Sequence, residues 1–175
     1  MRTTRYEIDE RLRRRYSPIE FSSVDIKEED LLAIFEAGIT APSSFNEQPW
    51  RFVIGSADKF HSILTEKNLL WASKVEVFVL LCAQVAFSGH PNPDGSPKLN
   101  NKAVFDTGTC FGMMQIEGMN RGIRMHPMGG FSIKKAREIF PLEGLDPICV
   151  IAFGKAQEAV EYTSRHPIES FVIRG

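Results

Sequence analysis

The nine residues Val75–Ala83 (VEVFVLLCA) decide the fold class. They are apolar almost without a break, the pattern of a strand covered on both faces, and so predict a central strand in a layered protein. Working outward, Trp50–Ile54 (WRFVI) before it and Pro147–Phe153 (PICVIAF) after it predict two more strands. Helices fill the intervals. Ile26–Thr40 carries acids in its first turn, where they oppose the positive end of the helix dipole, and places Leu31, Ile34, Phe35 and Gly38 on one face. Pro42 ends it. Ala57–Leu70 predicts a second helix, and Ile133–Phe140 a short basic one. Lys102–Gly122 predicts a long helix with Phe105, Met113, Ile116 and Met119 as its apolar positions. Gly108, Gly112 and Gly118 each cost that helix about 1 kcal/mol relative to alanine. Their presence predicts close packing on another helix, from this chain or a second subunit. Ser88–Asn101 predicts a surface loop or lid, and the tail Gly154–Gly175, ending in Phe171-Val172-Ile173, is expected to pack on something. Helices and strands alternate irregularly, which predicts an α+β fold rather than a doubly wound sheet.

The 175 residues are 43% apolar and 25% charged, ordinary globular usage that predicts one domain and excludes a disordered chain. A net charge of -1 leaves no global positive field for nucleic acid. Three widely spaced cysteines, Cys82, Cys110 and Cys149, make neither a disulfide framework nor a CxxC pair. The first residues lack the apolar stretch of a secretory signal, and no apolar run reaches the length of a membrane helix. A soluble, cytoplasmic protein is expected.

No GxSxG elbow, Walker A loop, strand-linked GxGxxG or HExxH pair occurs. His61, His90, His126 and His166 are scattered without metal-ligand spacing, so no metal is expected. Cys82 and Cys149 lie in apolar strands and read as inert core thiols. Three polar constellations remain in expected loops. Arg13-Arg14-Arg15-Tyr16-Ser17-Pro18 sets guanidinium forks, which match phosphate oxygens, beside a hydroxyl; a solvated basic arm is the plainer alternative. Ala41–Trp50 (APSSFNEQPW) crowds two hydroxyls and two carboxamides into ten residues, as a donor set or as simple turn chemistry. His126–Phe131 (HPMGGF) has paired glycines that let bare backbone approach a planar ligand, or is an ordinary loop.

Taken in order, these segments resemble the FMN-dependent nitroreductase family. The resemblance is carried by Arg15-Tyr16-Ser17-Pro18 with Phe21, then Ala41-Pro42-Ser43-Ser44 with Asn46, Gln48, Pro49 and Trp50. Asn68 near Trp71-Ala72, Met128-Gly129-Gly130-Phe131, and Ser164-Arg165 with Pro167 complete it, from about Asp9 to the C-terminus. It implies a central, mainly antiparallel sheet flanked by helices, one FMN-binding domain over residues 1–175, and an intertwined homodimer with two FMN sites at its interface. Arg15 and Arg165 would hold the FMN phosphate, and Ser17 the phosphate or ribityl region, with Tyr16, Pro42 and Gln48 also in the cofactor site. Ser43, Ser44 and Asn46 would lie along the flavin, partly from the partner subunit, and Asn68 would meet the pyrimidine edge. The backbone of Met128-Gly129-Gly130 would face the isoalloxazine with one amide at N5, so no side-chain acid or base is implied.

The implied activity moves a hydride from NADH or NADPH through flavin N5 to a nitroaromatic or quinone, by ping-pong kinetics in one shared site. Phe45 and the 88–101 loop would shape that pocket. The implied partners are a second copy and a small aromatic acceptor, without nucleic acid or membrane. Two positions depart from the family pattern. Ile19 stands where a basic residue usually lies near flavin N1 and the C2 oxygen, which implies a lower flavin potential. Thr163 stands where some members carry a phosphate-binding lysine, which implies modest FMN affinity. The alternatives are a flavin-binding protein without turnover (storage, delivery or sensing), another reaction on the same fold such as dehalogenation or flavin fragmentation, and a nucleic-acid module resting on Arg11–Arg15, which the net charge opposes.

Overall fold

The computed structural model describes residues 1–22, 25–89, 91–157, 159 and 161–175; His90 lies outside the described residues. β1 (Trp50–Ile54), β2 (Val77–Gln84), β3 (Arg124–Met128) and β4 (Leu145–Gly154) form one sheet in the order β1-β2-β4-β3, with every neighbouring pair antiparallel. The expected central strand is therefore β2, flanked on both edges. Alternation along it sorts the side chains between two cores. Phe78, Leu80 and Cys82 join Phe60, Ile63, Ala72 and Ala136 of α3 (Ala57–Ile63), α4 (Glu66–Ala72) and α6 (Ile133–Ile139) on one face. Val79 and Leu81 join Leu31, Ile34, Phe35, Cys110 and Met114 of α2 (Glu28–Ile39) and α5 (Ala103–Asn120) on the other. Gly38 sets the approach of α2 to α5: a Cβ there would lie 2.7 Å from Met114 Cγ and 3.0 Å from Cys110 Sγ.

The expected α+β class holds, and the differences from expectation bear on the site. The single helix over 57–70 is two, because Leu64 is extended, bridges Phe131 and leaves Thr65 to start α4. His126, Pro127 and Met128, expected in a loop, belong to β3. That strand is at the sheet edge, where a proline lacking its N–H is tolerated. The arginine-rich stretch begins as a short helix, α1 (Glu10–Arg14), capped by the Asp9 side chain accepting from Arg11 N. In α5 the buried stripe is Ala103, Asp106, Thr107, Cys110, Met114 and Gly118, whereas Phe105 is 74% exposed and Met113 is also exposed. Gly118 packs most closely on Met125 of β3, with Ile34 of α2 3.7 Å from where its Cβ would lie, whereas a Cβ on Gly108 or Gly112 would have nothing within 4 Å. The C-terminal tail packs on the N-terminal arm: Tyr162 meets Tyr16 edge-on at 5.9 Å, and Arg5 pairs with Glu169. Among the described residues no helix is long and apolar enough to cross a membrane.

Candidate functional site

Leaving α1, the chain runs beside β3. The Tyr16 ring lies under the Arg124 guanidinium at 5.4 Å, and the Pro18 carbonyl is 2.8 Å from His126 Nδ1. At this end the cations gather. Arg15 Nη1 donates to Ser17 Oγ at 3.4 Å, and Arg165 Nη1 donates to the carbonyls of Thr163 (3.2 Å) and Ser164 (2.9 Å). Arg2 joins them: its Nε reaches the Thr163 carbonyl at 3.4 Å, and its Nη1 donates to the Arg15 carbonyl. Burial lowers the Arg15 pKa most, followed by repulsion from Arg2 and Arg165. Among the described residues no carboxylate pairs with Arg2, Arg15 or Arg165. The other basic residues nearby are engaged within the arm. Arg11 pairs with Asp9 at 2.7 Å, Arg14 with Glu10 at 2.8 Å, and Arg13 Nε donates to the Arg2 carbonyl at 3.1 Å. Sequence reasoning missed Arg2, since nothing local ties residue 2 to residues 15 and 165.

The far end of β3 opens into the glycine pair. The Gly130 carbonyl accepts from Asn68 Nδ2 at 2.9 Å and from Thr65 N at 3.1 Å, and Ser132 N donates to the Ile63 carbonyl at 2.8 Å. The break between α3 and α4 thus clamps the glycine turn. The two glycines differ in what they permit. A Cβ on Gly130 would lie 2.7 Å from Asn68 Nδ2 and 3.0 Å from Thr65 Oγ1, whereas one on Gly129 would meet nothing within 4 Å. Gly130 is needed by the protein itself, and Gly129 leaves room for a flat molecule. Met128 is buried at 3% exposure, within the core below the glycine pair. Between the two ends, Trp71 stacks on His126 at 4.5 Å and on Phe21 at 6.3 Å. Burial pushes the His126 pKa below its ordinary value, the Pro18 carbonyl opposes that, and Arg15 adds to it. Ile19 is 56% exposed and lines a cleft of about 410 Å³ with Tyr16, Pro18 and Phe21.

The segment 41–50 is built for rigidity. Phe45 (φ 54°), Asn46 (φ 57°) and Gln48 (φ 49°) are all left-handed without being glycine, a conformation that costs on the order of 1–3 kcal/mol per residue. Ser44 N donates to the buried Asp106 carboxylate at 2.9 Å, Gln48 N to Ser43 Oγ at 3.0 Å, and Gln48 Nε2 to the Asn46 carbonyl at 3.2 Å, while Pro42 is exposed. Ser88 ties in through Glu47 Oε2. This segment feeds β1, at the edge opposite β3, three strand spacings or about 14 Å away. Among the described residues no hydrogen bond joins Ser43, Ser44, Asn46 or Gln48 to Arg15, Ser17, Asn68, Gly130 or Arg165. The expected site residues therefore form three groups, two at the ends of β3 and one at the opposite sheet edge. The thiols of Cys82, Cys110 and Cys149 stand apart, each pushed up to about 12 by burial.

Residues 12–75 match the profile of the Nitroreductase family, a span holding Arg15, Ser17, the 41–50 segment and Asn68. The Bacillus subtilis (strain 168) protein YdgI, whose name assigns it provisionally to the NAD(P)H nitroreductases, is 23% identical over 90% of this chain and 90% of its own. A solved oxidoreductase containing FMN superposes with a TM-score of 0.88 at 25% identity, covering 99% of this chain and 94% of the other. A solved FMN complex from Exiguobacterium sibiricum 255-15, provisionally termed a nitroreductase, superposes at 0.79 and 19% identity over 99% and 100% of the two chains.

Proposed function

We propose that the chain belongs to the nitroreductase family and that residues 1–175 form one FMN-dependent oxidoreductase domain that works as a homodimer. The observation that carries the cofactor reading is the pairing of two unlike ends along β3. One end gathers three guanidiniums with a hydroxyl, and no carboxylate among the described residues pairs with them, as a phosphate monoester requires. The other offers bare backbone at Gly129, as a planar ring requires. The four residue steps of β3 span about 14 Å, and FMN is a phosphate and a flat ring joined by a five-carbon chain. When bound, FMN supplies acceptance of a hydride from NADH or NADPH at N5 and delivery of electrons to a nitroaromatic or quinone, in ping-pong order.

The chain's own work is positioning. Arg15, Arg165 and Ser17 hold the phosphate, with Tyr16 beside them. Asn68 and Thr65 fix the Gly130 carbonyl, which orients the Gly129 and Gly130 amides toward the ring edge. Asn68 spends its amide nitrogen on that carbonyl and keeps Oδ1 for the pyrimidine edge. Pro42, Ser43, Ser44, Asn46 and Gln48 lie beside β1, at the sheet edge opposite β3, and on this reading complete the site of a second copy. The exposed α5 face bearing Phe105, Gly108, Gly112 and Met113 is the surface that second copy covers. Three free cysteines support a cytoplasmic setting. The test is the visible spectrum of the FMN-loaded protein before and after anaerobic NADH or NADPH. Bleaching is expected. A flavin that binds and stays oxidised with both donors refutes the reductase and leaves a flavin-binding protein; no binding refutes the cofactor reading itself.

A further inference from the structure

We propose that Arg2 is a third phosphate-binding residue, supplied by the N-terminal arm to close a cradle with Arg15 and Arg165; this rests on the FMN reading above. Arg2 and Arg165 converge on one atom, the Thr163 carbonyl, at 3.4 and 3.2 Å, and Arg2 also donates to the carbonyl of Arg15. Arg2 and Arg165 are thus drawn together across 163 residues of sequence by one neutral carbonyl, Arg15 lies near enough to feel the charge of both, and no carboxylate among the described residues pairs with any of the three. Like charges held that close repel unless an anion joins them, and a phosphate monoester brings nearly two negative charges and three acceptor oxygens. The arrangement is also pre-formed. Arg2 N donates to the Arg13 carbonyl at 3.0 Å and Arg13 Nε to the Arg2 carbonyl at 3.1 Å, which ties residue 2 to α1 in both directions. The Tyr162 ring lies under the Arg2 guanidinium at 5.2 Å and steadies its plane. Arg2 and Arg165 both open onto a cleft of about 580 Å³ between arm and tail. Arg5, on the same arm, is excluded by its pairing with Glu169. Thr163 contributes no cation of its own, yet its carbonyl recruits one from the other end of the chain, so the weak affinity that a threonine there implies is offset.

The experiment compares dissociation constants for FMN and for riboflavin, which lacks the phosphate, in the wild type and in Arg2→Ala, Arg2→Lys and Arg5→Ala. Arg2→Ala is expected to weaken FMN binding roughly tenfold, one charge-assisted hydrogen bond's worth, and to leave riboflavin unchanged. Arg2→Lys, which keeps the charge, recovers most of the loss, and Arg5→Ala changes neither ligand. Equal weakening of both ligands by Arg2→Ala would make Arg2 a fastener of the arm and overturn the proposal, as would unchanged FMN affinity. So would an Arg2→Lys variant no better than Arg2→Ala. If the wild type binds riboflavin and FMN equally well, the phosphate cradle fails while the flavin site stands; if it binds neither, the proposed function fails and this inference with it.

Discussion

Replacing Gly130 by alanine separates what the protein needs from what its ligand needs. The backbone there is not left-handed, so alanine adds no conformational strain and the cost is contact alone. The new Cβ would sit 2.7 Å from Asn68 Nδ2 and 3.0 Å from Thr65 Oγ1. Asn68 can retreat only by giving up its 2.9 Å bond to the Gly130 carbonyl. Overpacking of this kind costs about 1–3 kcal/mol and the lost bond about 1 kcal/mol more. Restricting the unfolded chain returns about 0.4–1 kcal/mol. The net is a destabilisation of about 2 kcal/mol, or a Tm lower by about 4–8 °C for a chain of this size. Gly129→Ala is the internal control: its Cβ meets nothing, so the Tm holds or rises slightly while FMN affinity falls because the ring has lost its flat floor. Thermal melts of both apoproteins and flavin titrations read these effects. A Gly130→Ala protein as stable as the wild type would refute the packing argument; a Gly129→Ala protein binding FMN normally would refute the placement of the ring.

Three further outcomes are expected. Ile19→Arg places a cation where the flavin N1 side is expected, and one charged hydrogen bond of about 1.5–3 kcal/mol raises a two-electron potential by roughly 30–60 mV; an unchanged or lower potential on redox titration counts against it. His126 has a folded pKa below its unfolded value, so the unfolded state takes up the proton first, and stability present above the ordinary value of 6.5 is lost as the pH falls from there through the lower folded value. His126→Gln is expected to flatten that part of the stability–pH curve, and an unaltered slope assigns it elsewhere. Phe105→Glu puts a charge on the exposed α5 face and is expected to halve the particle mass by light scattering and to abolish FMN binding, whereas a wild-type monomer that binds FMN contradicts the shared site.

What the sequence disclosed follows from how local each signal is. Val75–Ala83 was legible because a strand buried on both faces is apolar almost without a break, and its alternation between two cores follows from that. β3 was not, since Pro127 and the glycine pair are loop residues by composition and only the edge position makes them acceptable in a strand. Leu64 fits helical spacing yet is pulled out by its bridge to Phe131, a contact across 67 positions that no local pattern carries. The same holds within the candidate site. Arg15 with Ser17 is a two-residue spacing, and Asn68 with Gly130 was legible only through the order of motifs. Arg2 shows no sequence signal, because its neighbours are set by where the tail returns. In α5 the bulky residues misled: Phe105 lies outside while Asp106, Thr107 and Gly118 face in.

The excursion after β2 has a neck. Ala86 bridges Leu99, Phe87 N donates to the Lys98 carbonyl at 2.9 Å and Asn100 N to the Val85 carbonyl at 2.9 Å, so the chain departs and returns at almost one point. Length gained or lost beyond that neck leaves the sheet register untouched, because closing a longer loop adds only about 0.6 kcal/mol per doubling. Phe45 meets Phe87 edge-on at 5.9 Å just inside it. Descendants of this chain can therefore reshape the ground beside Phe45 by insertion and deletion alone, with folding insulated from the experiment.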